Sequence, residues 1–290
     1  MEKIRVRQVG GGKLFTRTVL GLLAVVMLVP VVVTFLYSFC SPDEIGAFMK
    51  TRGNYDTAAW MEVKLSPKVF SLSQYYNILV QDMSILRMFV NSVIYVVMIL
   101  LGQAAVVPMM AYALSRFRFR GRETIFFGII MLMLLPFQVT MVPNVLTLRT
   151  VGLLNTVWAV IIPMWFSPFY IFLIRQFMLG LPNELREAAQ MDGAGTLRGD
   201  GYVVVPVCRP VIGAAVALSF ADCWNLVEQP MTYLSQRTDL YPLSVEFNRL
   251  AGSNAKIVFA GAALYILPAL FISLYFLDDL LSGVQLTELK

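Results

Sequence analysis

The sequence predicts an all-α membrane protein with six transmembrane helices, and three observations carry that prediction. Apolar residues make up 58% of the 290 residues and charged residues 14%, against roughly half and a quarter in soluble globular chains. Long apolar stretches recur at 18–39, 88–114, 124–147, 154–174, 203–224 and 257–281. About 20 helical residues cross the hydrocarbon core, and a helix is one of the two structures whose backbone satisfies its own polar groups there. The basic residues fall in short clusters beside these stretches.

The first stretch follows Lys3, Arg5, Arg7, Lys13 and Arg17. It exceeds the ~7–15 residues of a signal-peptide core, and no A-x-A cleavage site follows, so it reads as an uncleaved first span. The second stretch leads into Ser115–Arg122, with arginines at 116, 118, 120 and 122. The positive-inside rule puts this loop and the N-terminal tail in the cytoplasm. Six spans then make both termini and the 175–202 loop cytoplasmic. Ser41–Leu86 lies outside, where Trp60, Tyr75 and Tyr76 sit among charges of both signs. The arginine loop contacts a cytoplasmic partner or anionic lipid, or serves topology alone. Pro163 and Pro168 interrupt the fourth stretch, Pro206 and Pro210 the fifth; proline is tolerated in a span when neighbours satisfy the freed carbonyl.

Several chemistries are excluded or disfavoured. The chain has no histidine, which removes the usual general base and zinc ligand. Cys40, Cys208 and Cys223 are far apart and form no CxxC pair, so they read as small apolar filler. No GxxxxGK[ST] phosphate loop occurs, so the chain does not itself hydrolyse ATP by the usual route. No run of intramembrane acids suggests a proton relay. The net charge of +5 is explained by orientation in the membrane, and no nucleic-acid partner is expected.

The most informative segment is Leu181–Gly195. Asn183 is placed to cap a helix, and Glu184 and Glu187 lie in its first turns, where the helix dipole favours negative charge. Leu185, Ala188 and Ala189 share one face. Asp192-Gly193 supplies a turn. Such a two-turn helix is marginal alone and is stabilised when its small apolar face enters a partner.

Glu187-Ala188-Ala189, then Gly193, then Val205-Pro206 twelve residues later resembles the signature loop of binding-protein-dependent ABC importer permeases. Leu181-Pro182, Asp192-Gly193-Ala194 and Arg209-Pro210 resemble the carbohydrate branch, that of maltose-type importers. Asn91-Ser92, Ala111–Arg116 and Trp224-Asn225 extend the resemblance over most of the chain from about residue 70.

The resemblance implies a type-1 ABC importer transmembrane domain at 86–281 with a cytoplasmic coupling loop at 181–201. Residues 1–85 precede it as tail, first span and extracytoplasmic loop, and 282–290 follow as a cytoplasmic tail. It implies an ATPase-docking set of Glu184, Leu185, Glu187, Ala188, Ala189, Met191, Asp192 and Gly193. Among these, Glu187 is the polar contact, the two alanines are the close-packing face and Gly193 is the turn. The implied partners are a cytoplasmic ABC ATPase dimer, a second homologous permease subunit, an extracytoplasmic solute-binding protein and membrane lipid. No cofactor is expected on this chain; ATP and magnesium belong to the ATPase. A sugar or oligosaccharide is the implied cargo. A peptide, phosphate or amino acid is the alternative cargo, and a carrier or scaffold outside the superfamily the alternative class.

Two departures stand out. Gly195-Thr196-Leu197-Arg198-Gly199-Asp200-Gly201 replaces a second short helix rich in bulky residues. Each internal glycine weakens a helix by about 1 kcal/mol relative to alanine, which predicts a looser second half of the loop. The C-terminal string Gly283–Lys290 also differs from the family pattern.

Four residues are candidates for the substrate path. Asn225 and Trp224, at the end of the fifth stretch, suit sugar recognition by hydrogen bonding and stacking, or form an interfacial tryptophan with an asparagine cap. Gln103 and Gln138 line a cavity or hydrogen-bond a neighbouring helix.

Overall fold

The computed structural model describes residues 10–46, 68–81, 83–181, 205–247 and 257–279, without the side chains of 10–14 and 205. All regular structure among the described residues is helical. The chain divides into two compact units, Met1–Asp82 with Leu250–Leu264, and Met83–Arg249 with Tyr265–Lys290.

In the first unit, α1 (Gly10–Ser38) exposes every described side chain from Phe15 to Pro30. A helix apolar on all sides and covered by no protein is suited to lipid. Its last turn enters a small core of Tyr37, Cys40 and Ile45, with Val33, Leu36 and Phe259 against it. The fully buried Gln74 closes that helix end. Its Nε2 donates to the Tyr37 and Cys40 carbonyls at 2.9 and 2.8 Å, and its Oε1 accepts from the Ala260 amide at 3.3 Å. The carbonyls at a helix C-terminus have no helical donors of their own, and one carboxamide supplies them.

The second unit is built on α2 (Met83–Arg116), 34 residues long and so about 51 Å. Along it pack α5 (Val157–Trp165), α6 (Pro168–Leu179) and α7 (Arg209–Trp224). The remaining helices are α3 (Arg122–Leu134), α4 (Phe137–Thr150), α8 (Glu228–Tyr233) and α9 (Val258–Tyr275); α9 joins this unit from Tyr265 onward. One core gathers Tyr95, Ile99, Val160, Phe220, Trp224 and Leu234. The other gathers Val107, Ala111, Phe126, Ile171, Ile174 and Cys208. Gly102 permits the tightest approach: a Cβ there would collide with the Trp165 indole, whose Nε1 donates to the Met98 carbonyl at 3.0 Å.

Among the described residues, four helical segments are long and apolar enough to cross a membrane: Phe15–Ser38, Met83–Arg116, Val157–Leu179 (α5 with α6) and Val258–Tyr275. Counting α3 with α4 as one broken span makes five among the described residues. The 124–147 stretch, expected to cross as a helix, is two helices. The chain turns by 107° between α3 and α4, where Leu135 adopts extended backbone and Pro136 precedes α4. Proline drives the residue before it out of the helical region. The 154–174 stretch breaks at Phe166-Ser167, and Pro168 opens α6, a position where its missing N–H costs no hydrogen bond. In the 203–224 stretch a short turn, Val205–Val207, precedes α7. α7 itself has 16 residues, about 24 Å of helix against a hydrocarbon core of about 30 Å.

Candidate functional site

The residues that carried the sequence resemblance outside the loop become joints between elements of the second unit. At the Met83 end of α2, Asn91 Nδ2 donates to the carbonyls of Asp239 and Tyr241 at 3.0 and 3.1 Å. Ser92 Oγ accepts from the Leu243 amide at 2.8 Å, and the Tyr95 hydroxyl donates to the Leu240 carbonyl at 3.0 Å. Three side chains on α2 thus pin the 239–243 loop. Just ahead of that loop, Arg237 donates two hydrogen bonds of 2.9 Å to the Asp239 carboxylate. Those hydrogen bonds, with the guanidinium charge, hold the Asp239 carboxyl below its ordinary pKa of 3.8.

Midway along α2, the buried Gln103 reads two neighbours at once. Its Nε2 donates to the Met164 carbonyl of α5 at 2.8 Å, and its Oε1 accepts from the Ser219 hydroxyl of α7. These contacts are the interhelical hydrogen bond that the sequence left open as one of two readings. Gln103 also borders a cavity of about 30 Å³ among Pro108, Tyr170, Ile174 and Ala215, room for about one water molecule. On the same side of α7, the buried Tyr170 of α6 donates its hydroxyl to Asp222 Oδ2 at 2.6 Å.

Trp224 is 2% exposed. Phe220 stacks on its indole at 5.6 Å, Phe89 meets it edge-on and Tyr265 lies tilted against it. Its Nε1 donates to the Tyr265 carbonyl at 3.0 Å. Protein rings cover the indole in this structure. Asn225 is exposed and ends α7. Its Nδ2 donates to the Ala221 carbonyl at 2.8 Å, and its Oδ1 accepts from the Tyr265 hydroxyl at 2.9 Å. Gln138 is exposed and donates to Glu228 Oε1 at 3.0 Å, joining α4 to α8.

At the Arg116 end lies a residue that sequence reasoning missed. Arg175, assigned to a loop, is inside α6 and 4% exposed. Its Nε donates to the Leu114 carbonyl at 3.1 Å, a terminal nitrogen reaches both Glu123 oxygens at 3.2 and 3.1 Å, and its guanidinium lies 3.6 Å from the Phe126 ring centroid. A buried arginine needs this many partners, because burying an unpaired charge is costly. Arg116 adds a 2.7 Å hydrogen bond to the Met178 carbonyl. Three helices are therefore fastened beside the end of α6. The signal was available only as an arginine closing an apolar run. The docking set Glu184, Leu185, Glu187, Ala188, Ala189, Met191, Asp192 and Gly193 begins five residues after α6 ends and lies outside the described residues, as do Gly195–Gly201 and the C-terminal tail.

Comparison with known proteins adds to this geometry. Residues 104–282 match the family model described as the binding-protein-dependent transport system inner membrane component. The arabinooligosaccharides transport system permease protein AraQ of Bacillus subtilis is 28% identical over 235 residues, 79% of this chain and 83% of AraQ. The diacetylchitobiose uptake system permease protein NgcG of Streptomyces coelicolor is 31% identical over 198 residues, 66% of this chain and 65% of NgcG. Among solved structures, a bacterial ABC transporter involved in the import of the acidic polysaccharide alginate superposes with a TM-score of 0.74. It is 23% identical and covers 96% of this chain and 99% of its own, which speaks for the fold. The family match takes in α3 to α9 with the joint around Arg175, and begins one residue after Gln103. The chain is a multi-pass protein of the prokaryotic cell membrane and belongs to the binding-protein-dependent transport system inner membrane component family.

Proposed function

We propose that this chain is the membrane-spanning permease subunit of an ATP-driven importer for a sugar or oligosaccharide. The family match over residues 104–282 carries the reading. The cargo rests on the relatives, named for arabinooligosaccharides and diacetylchitobiose. In this reading the chain crosses the membrane six times with both termini in the cytoplasm. The α3–α4 pair forms one broken crossing, and α7 with its preceding turn forms another. The transmembrane domain occupies 86–281, after an N-terminal segment of 1–85 and before a tail of 282–290.

The loop at 181–201 docks into a cytoplasmic ATPase dimer. Glu184, Leu185, Glu187, Ala188, Ala189 and Met191 present the contact surface, and Asp192-Gly193 turns the chain. The Arg175–Glu123 joint supports this assignment, because it holds α6 to α3 just before the loop begins, so that force on the loop is delivered to the bundle. ATP and magnesium bind the ATPase, while this chain does no catalysis. A second homologous permease completes the pore and an extracytoplasmic binding protein delivers cargo. Closure of the ATPase dimer moves the loop and switches the cavity between inward and outward access.

Affinity purification in a mild detergent tests the assembly. An ABC ATPase and a second permease are expected to co-purify in fixed ratio. Recovery of this chain alone, folded and monodisperse, would contradict the reading.

A further inference from the structure

Between Pro210 and the end of α7, the exposed residues are Leu218, Ala221, Asp222 and the capping Asn225. Their spacing of i, i+3, i+4 and i+7 makes them one stripe along the helix. Most of the remaining positions on α7 are buried in the bundle. The stripe holds a carboxylate 13 residues beyond Arg209, about 20 Å along the helix. An ionisable group within a span is costly toward lipid and belongs to a protein interior or a water-filled cavity.

The chemistry of the stripe narrows what it meets. Asp222 Oδ2 is occupied by the Tyr170 hydroxyl. Its other oxygen has no hydrogen-bond partner, and no lysine or arginine pairs with it, among the described residues. Asn225 spends its carbonyl oxygen on Tyr265 and one amide hydrogen on Ala221, which leaves the second amide hydrogen for another acceptor. An acceptor and a donor one turn apart suit a solute with neighbouring hydroxyls. The uncompensated negative charge opposes an anion.

We propose that Leu218, Ala221, Asp222 and Asn225 line the cargo path, which takes uncharged, hydroxyl-rich solutes and excludes anionic ones. The proposal rests on the reading of α7 as a spanning helix of an importer. It assigns this chain a charge preference unlike that expected for the acidic cargo named in the structurally similar alginate transporter.

Charge-selective thiol labelling of the intact complex in proteoliposomes tests it without knowledge of the cargo. Leu218→Cys is treated with a cationic (MTSET) and an anionic (MTSES) methanethiosulfonate, with and without ATP and vanadate, and compared with the parent protein. Rates are normalised to those of a free thiol. The cationic reagent is expected to react about tenfold faster, and Asp222→Asn is expected to bring the ratio near one. Labelling at equal rates, or no labelling under either condition, overturns the proposal. Separate Arg209→Cys and Glu228→Cys variants report on the underlying reading: labelling from opposite faces of the membrane upholds α7 as a span whatever the charge ratio, and labelling from the same face removes both.

Discussion

The Arg175 guanidinium reaches both carboxylate oxygens of Glu123, at 3.2 and 3.1 Å, and so fastens the last turns of α6 to the first turn of α3. The pair is asymmetric: the Arg175 side chain is 5% exposed and that of Glu123 64%. Removing the exposed partner strands a buried cation, whereas removing the buried partner leaves a carboxylate that water can solvate. Glu123→Gln should therefore lower the thermal midpoint of the purified protein more than Glu123→Gln combined with Arg175→Met. A double-mutant cycle on melting temperatures checks this, and strictly additive losses would rule out the coupling.

Gly102 should not tolerate even one methyl group. The Trp165 indole occupies the space a Cβ would need and is held there by its hydrogen bond to Met98. Gly102→Ala is expected to cost about 1–3 kcal/mol through overpacking. Gly128→Ala is the control, since nothing lies within 4 Å of its would-be Cβ. Equal melting temperatures for the two variants would show that the indole moves aside freely.

Gln103 is expected to act as a crosslink. Gln103→Leu leaves the Met164 carbonyl and the Ser219 hydroxyl without their partner, and an unsatisfied buried polar group costs about 1–3 kcal/mol. Pairing it with Ser219→Ala should recover part of that loss. Thermal unfolding of the single and double variants measures it; a double variant less stable than either single would argue against the pairing.

Trp224 separates packing from recognition. Trp224→Ala should cost about 3–5 kcal/mol, typical of a large side chain removed from a core. Trp224→Phe keeps ring stacking while losing the bond to Tyr265. It should leave the apparent KM for cargo uptake unchanged while lowering the melting temperature. A large rise in KM with unchanged stability would restore the indole to the substrate path.

Apolar run length made most of the helical architecture legible in the sequence: helices occupy all six stretches. The breaks were less legible because proline has two meanings. Pro108 and Pro143 sit inside helices, while Pro136 marks a 107° turn; only the backbone at Leu135 distinguishes them. The polar joints were hardly legible at all. Arg175 meets residues 52 and 61 positions away and Asn91 meets one 150 away, pairings that neither periodicity nor spacing encodes. The residues that resembled the family pattern were legible as positions, but their physical work, pinning loops and helix ends, became visible only in three dimensions.

The coupling role proposed for the 181–201 loop is open to the most direct test. Uptake and ATP hydrolysis are measured together in proteoliposomes holding the assembled complex, with this chain carrying Glu187→Ala and Gly193→Pro. The account predicts that the complex still assembles in the membrane while uptake falls by at least tenfold and hydrolysis no longer responds to loaded binding protein. Uptake at the unmodified rate, with hydrolysis still stimulated, would contradict the claim that this loop transmits the ATPase stroke to the membrane.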